Sequence, residues 1–186
     1  MTRLTICIYF ILLVLSCNQD SPTKTDATTS DKQTPKTENP DQIAKLYERY
    51  TKNPQTQAQK DENAIIDYLA NQNEEFKRSE NGVYVHIKKR GSGTKYVAGQ
   101  ASTADYKGFT LDGKIFDSSY KRGKPLQFKA GQMIPGWTQT QYEVSPGAEL
   151  TLIVPSHLAY GLRGFPGAVE PNTVIAFDVV FKDLKR

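Results

Sequence analysis

At Gly82 the apolar residues of this chain change period. Beyond it, Val83, Val85 and Ile87 alternate with Tyr84, His86 and Lys88, the two-residue repeat of a half-buried strand. Further strands fit 102–109, 127–129, 149–154 and 173–182. They are separated by turn residues at Gly91-Ser92-Gly93, Asp112-Gly113, Arg122-Gly123 and Pro146-Gly147. One short helix fits 137–144. Residues 82–186 therefore read as one α+β domain, a mostly antiparallel sheet wrapped on a short helix.

Before Gly82 the spacing is helical. Asp41 after Pro40 suits a helix start, and Ile43, Leu46, Tyr47 and Tyr50 fall at i, i+3, i+4 and i+7. A second helix fits 58–79, with Ile65, Ile66, Leu69 and Phe76 on one side and Asn81-Gly82 as its stop. Both stripes are narrow, so the 41–80 extension is expected to lie on a partner surface: either the domain itself or a second copy, as in a homodimer. No large apolar residue occurs between Cys17 and Ile43. Such a stretch cannot bury enough surface to offset its ordering entropy, which makes 17–40 a disordered tether.

Leu4 to Leu15 form a short apolar run behind Arg3. A bilayer span needs about 20 apolar residues, so residues 1–16 read as a signal peptide. The run ends at Leu15-Ser16-Cys17. A small residue before a Cys at this place is similar to a bacterial lipobox, which implies a lipid on Cys17 and a membrane anchor; a plain secretory signal is the alternative. The chain has 2 Cys, both in the first 17 positions, so the mature domain can form no internal disulfide. The expected location is the bacterial cell envelope, with the domain in the periplasm or at the cell surface.

Much chemistry is excluded. The net charge of +4 arises from 24 basic and 20 acidic residues without a run of five like charges, which is no nucleic-acid footprint. His86 and His157 lack metal-ligand spacing, and no Gly-x-Ser-x-Gly occurs. Gly91-x-Gly93 lacks the Lys-Ser/Thr of a phosphate loop. No metal or cofactor is expected. What remains is a dense set of aromatic residues between Tyr106 and Phe181, interrupted by glycines; composition alone does not separate a core from a pocket.

Local strings do separate them. Tyr106-Lys107-Gly108 followed by Asp112-Gly113-Lys114-Ile115-Phe116-Asp117-Ser118-Ser119, then Met133-Ile134-Pro135-Gly136-Trp137, Ala159-Tyr160-Gly161, and Pro171 to Val179, resemble in order and spacing the signature of FKBP-type peptidyl-prolyl cis-trans isomerases. The layout also resembles gliding-motility-associated FKBP-type lipoproteins, and the helical stretch resembles the extension of Mip-like members. The resemblance implies a curled antiparallel sheet over one short helix and a shallow apolar hollow. Tyr106, Phe116, Asp117, Trp137, Tyr160 and Phe177 would be its catalytic set, with Trp137 as floor. Met133, Ile134, Phe128, Phe165 and Val169 would be further substrate contacts. The N–H of Ile134 and the hydroxyl of Tyr160 would donate to the peptide's carbonyls, and Asp117 would bond to Tyr106.

The implied activity is isomerisation of X–Pro bonds in envelope or secreted proteins by desolvation. A periplasmic chaperone or binding module for proline-containing segments is a second possibility, and an accessory of a gliding-motility or secretion machine a third. Leu126, Phe165, Glu170, Ser156-His157 and Gln141 depart from the family pattern and bear on substrate preference. Either Trp137→Ala or Phe116→Ala is expected to lower isomerisation far more than melting temperature.

Overall fold

The computed structural model describes residues 40–182. Cys17, the signal and nearly all of the tether lie outside the described residues. Seven strands form one antiparallel sheet: β1 (Lys77–Arg78), β2 (Tyr84–Lys89), β3 (Ala101–Thr110), β4 (Ile115–Ser118), β5 (Leu126–Lys129), β6 (Glu149–Val154) and β7 (Ile175–Phe181). Their order is β1-β2-β6-β7-β3-β4, and β5 also pairs with β3. β3 carries much of the architecture. One edge of it pairs with β7 from Ala104 to Thr110, while the other takes β5 and then β4. Register shifts at Gly108/Phe109 and Ile87/Lys89 bend the strands there.

The sheet is buried on both faces at its centre. Leu150, Leu152, Val154, Ile175, Phe177, Val179 and Phe181 turn to one side, where α3 (Pro135–Tyr142) packs with Trp137. Tyr84, Ile153, Val174 and Ala176 turn to the other and meet Ile65 and Leu69 of α2 (Gln57–Leu69). Two-sided burial explains why β6 and β7 read as nearly continuous apolar runs. It also corrects the reading of Tyr84. That residue was expected on the polar face of its strand, yet it is buried under α2, and its hydroxyl donates to Glu62 at 2.8 Å.

The apolar stripe of α2 is thus covered by the chain's own sheet. α1 (Pro40–Tyr47) has no buried residue, and Tyr47 and Tyr50 stay exposed. α2 starts one residue before the expected position, where Thr56 accepts from the Gln59 N–H and the Gln59 side chain accepts from the Thr56 N–H. It stops at Leu69, well short of Ser79. The following Asn71 and Asn73 disfavour helix, and the chain is needed extended so that Lys77 and Arg78 can pair with Val85 and Tyr84. Phe76 therefore leaves the helical stripe and packs at the edge of the same cluster, 5.5 Å from the ring of His86. β4 was not expected from the sequence; four residues carry too little alternation to register. Among the described residues no helix is long and apolar enough to cross a membrane.

Candidate active site

The site is built around the start of α3. Pro135 occupies the first turn, where its missing N–H is no loss, so the helix begins two residues before the expected 137. Gly136 lets this turn approach β6: a Cβ there would lie 2.4 Å from a methyl of Val154. The close approach seats Trp137 at 0 % exposure. Four rings stand edge-on to its indole: Tyr106 at 5.4 Å, Phe177 at 5.3 Å, Phe181 at 5.9 Å and Phe128 at 6.1 Å between centroids. Edge-to-face pairing at such distances is favourable beyond area burial.

Half-buried Phe116, Phe128, Met133, Ile134 and Tyr160 pack against the core cluster that holds Trp137, and half-buried Asp117 lies beside Phe116 on β4. Phe116 meets Phe177 at 5.7 Å and Tyr160 at 6.3 Å, both edge-on. Val169 is buried beside them, while Phe165 is 44 % exposed and lies parallel to Tyr160 at 5.2 Å. Of the eleven residues named from the sequence, nine pack in or against one core cluster, Asp117 bonds to Tyr106, and Phe165 stacks on Tyr160. Cavities of about 490, 460 and 270 Å3 lie elsewhere, and none is lined by the indole.

A polar cluster closes one wall. The Tyr106 hydroxyl donates to Asp117, Arg122 pairs with the same carboxylate, and Arg122 also donates to the Tyr106 oxygen at 2.9 Å while lying over its ring. The Ser118 N–H donates to Asp117 at 2.8 Å. Ser119 accepts from the Tyr106 N–H at 2.9 Å and donates to Asp105 at 3.1 Å. The Asp-Ser-Ser string thus fixes β4 and the chain beyond it against β3. Burial, then the hydrogen bond to Asp117, pushes the Tyr106 hydroxyl up to about 12. Burial and the Asp117 charge also raise Tyr160.

The Tyr160 hydroxyl and the Ile134 N–H make no hydrogen bond within the described residues, leaving two donors at the rim. His86 and His157 stand apart from the hollow, and no group of three or more potential metal ligands occurs among the described residues. Gln141, a departure on α3, is fully buried and donates to the Ser102 hydroxyl at 2.8 Å, which satisfies its amide nitrogen.

Two residues were missed in the sequence. Arg122 was read only as part of a turn; a cation shortly after the Asp-Ser-Ser string was the available signal. Gly108 has a steric role, since a Cβ would lie 2.8 Å from ring atoms of both Phe116 and Phe177. Its place opposite Phe177 in the sheet explains why a glycine follows Tyr106 by two.

Known proteins resemble this chain in sequence and fold. The pattern of the family described as FKBP-type peptidyl-prolyl cis-trans isomerase matches residues 92–182. FkpA of Escherichia coli K12, named as such an isomerase, is 38% identical over 109 residues, covering 59% of this chain and 40% of that protein. The isomerase Mip of Coxiella burnetii is 36% identical over 106 residues, covering 57% and 46%. The chain therefore spans less than half the length of these curated relatives. The crystal structure of AtFKBP13 superposes with a TM-score of 0.56 at 36% identity, covering 60% of this chain and 99% of that one. That of E. coli FkpA gives 0.60 at 32% identity, covering 76% and 63%. With AtFKBP13 matched across almost its whole length, and with the signature strings gathered around one indole, this chain belongs to the FKBP-type peptidyl-prolyl cis-trans isomerase family.

Proposed function

We propose that this chain isomerises X–Pro peptide bonds, and that the hollow over Trp137 is where it does so. The observation carrying the proposal is an aromatic cluster around Trp137 beside two donors, the Ile134 N–H and the Tyr160 hydroxyl, that make no hydrogen bond among the described residues. Rotation about a peptide bond must break amide resonance, a barrier of about 18–20 kcal/mol. No proton needs to move. The planar amide is the more dipolar state, and water stabilises it. Withdrawing the amide from water into a ring-lined hollow penalises that ground state more than the twisted one. The Ile134 N–H and Tyr160 hydroxyl would hold the flanking carbonyls while the prolyl ring rests on the indole. Asp117, Tyr106 and Arg122 would fix one wall.

The test is a protease-coupled assay on a proline tetrapeptide. Turnover above the spontaneous rate, weakened by Phe116→Ala, supports the proposal. A folded protein that binds the peptide without accelerating its isomerisation would instead be a binding module. That second reading draws on Leu162, 82 % exposed, and Phe165, which extend apolar surface beyond what one prolyl ring needs.

We also place the domain on a membrane of the bacterial envelope through lipid on Cys17. The signal-like run and lipobox support this, and one relative is named the outer membrane protein MIP of Legionella longbeachae. Loss of membrane association in Cys17→Ala tests it. Any dimer through the extension would use α1 and the turn after it, where Tyr47 and Tyr50 remain exposed; light scattering with and without those rings decides. Clients in envelope folding, secretion or gliding motility would be found by crosslinking in the source organism.

A further inference from the structure

The loop that carries Tyr160 is gripped from outside the family domain. Asp61 lies on α2, ahead of residues 92–182 that match the family pattern, and is 2 % exposed. One of its carboxylate oxygens accepts both the N–H of Ser156 at 2.8 Å and its hydroxyl at 2.6 Å. Ser156 opens the 3-10 turn Ser156–Leu158 that leads into Tyr160. The other oxygen accepts from the Gln57 amide at 2.7 Å, and the same amide donates to the Asn172 carbonyl at 3.4 Å. Asn172 in turn donates its N–H to Gly161 at 2.8 Å. Two side chains of α2 thus hold both ends of the segment that presents Tyr160, Phe165 and Val169.

Packing alone does not fix this segment. Leu162, Arg163, Phe165, Pro166 and Gly167 are all exposed. The grip also borders an open groove of about 490 Å3 whose lining runs from Gln57 and Asp61 to Ala168 and Asn172, so the Asn172 end of the segment is not closed over by packed side chains. A serine at 156 suits the arrangement, since it supplies two donors where a proline would supply none.

We infer that Asp61 is a positioning residue of the isomerase site, acting through Ser156 to hold Tyr160 and the rim loop in the conformation that accepts substrate. The inference rests on the proposed isomerase reading. Without the grip, only a fraction of molecules present the competent loop, so apparent substrate affinity falls by that fraction while the bound complex reacts as before.

The experiment measures kcat and KM for the proline tetrapeptide, and its Kd by calorimetry, on the full chain at a temperature where each variant is folded by circular dichroism. Asp61→Ala is expected to raise KM and Kd about five- to tenfold and leave kcat within about twofold. Asp61→Asn keeps an acceptor for Ser156 but sets a donor against the Gln57 amide, and is expected to raise KM about two- to threefold, as Gln57→Ala does, short of the loss in Asp61→Ala. Gln57→Ala is expected to raise KM about two- to threefold. A folded Asp61→Ala with unchanged KM and Kd overturns the inference, as does equal loss in the Ala and Asn variants. Should Asp61→Ala fail to fold, Gln57→Ala and Ser156→Ala decide by the same criterion. A parent that binds peptide without turnover overturns the isomerase reading alone, and the Kd values then judge the grip. A parent that does neither overturns both.

Discussion

Tyr106 and Asp117 face each other across the paired strands β3 and β4, the phenol hydroxyl donating to the carboxylate, with Arg122 bonded to both. The guanidinium pairs with the Asp117 carboxylate and lies over the phenol ring. Replacing it by a residue with a similar stem separates charge from packing. Arg122→Met is expected to lower kcat/KM about three- to tenfold, because the unbalanced charge draws water toward the hollow. Melting temperature should barely move, since the pair is partly exposed and such pairs contribute little to stability. Unchanged kcat/KM in a folded Arg122→Met protein would remove Arg122 from the site.

The floor and the wall should respond differently to truncation. Trp137 is fully buried and touched by four rings, so Trp137→Ala leaves a cavity and is expected to destabilise the fold by about 3–5 kcal/mol. The expectation drawn from sequence, that its activity would fall far more than its melting temperature, is therefore revised. Phe116 is half-buried at the rim. Phe116→Ala should lower kcat/KM at least tenfold for a loss of about 1–2 kcal/mol. Chemical denaturation beside the peptide assay checks both, and a Phe116→Ala protein that loses stability and activity in proportion would return Phe116 to the core.

Gly108 tests the same hollow from below. A methyl there must displace the rings of Phe116 and Phe177, each 2.8 Å from the added carbon. Gly108→Ala is expected to destabilise by about 1–3 kcal/mol through overpacking and to raise KM, because Phe116 swings into the space the prolyl ring would use. Wild-type kinetics in Gly108→Ala would show that neither ring needs its present place.

The proposed chemistry moves no proton, and the site's hydroxyls are built to keep theirs. Burial and Asp117 hold Tyr106 near 12 and raise Tyr160. Both stay protonated through neutral and mildly basic solution. The kcat/KM profile is expected to be flat between about pH 6 and 9. A bell with a limb near pH 7 would mean that a titrating group takes part, and the desolvation mechanism would fail.

How much of this was legible beforehand depended on whether neighbours in space were also neighbours in sequence. Alternation at Val83–Lys88 and the apolar runs 149–154 and 173–182 marked strands correctly, because burial of the central strands is strong enough to print itself on composition. The signature strings around Phe116, Trp137 and Tyr160 belong to residues that meet in one aromatic cluster. Illegible were the features made by distant parts meeting. Tyr84 reads as a polar-face residue until α2 covers it. Asp61 is one acid among several on a helix until Ser156 arrives beneath it. The end of α2 was misplaced because Phe76 kept the helical period by chance, while the pairing of Lys77 with Val85 demanded an extended chain. Local spacing carried no sign of that demand.

The seat of α2 on the sheet has a charged anchor, and it sets an acid limit on the fold. Glu62 accepts hydrogen bonds from Arg49 at 2.7 Å, Arg78 at 3.1 Å and the Tyr84 hydroxyl at 2.8 Å. Burial pushes its carboxyl upward, but the Arg49, Tyr84 and Arg78 interactions outweigh burial and leave it below the ordinary glutamate value. A carboxyl held low in the folded state stabilises at every pH above its unfolded value of about 4.3. That contribution drains away as pH falls through the lowered folded value. Glu62→Gln keeps the shape and removes the titration. The melting-temperature gap between parent and Glu62→Gln is expected to be widest at neutral pH and to shrink toward zero below about pH 4. A gap that stays constant from neutral pH into acid would show that Glu62 holds α2 by shape and hydrogen bonding alone, with its charge contributing nothing.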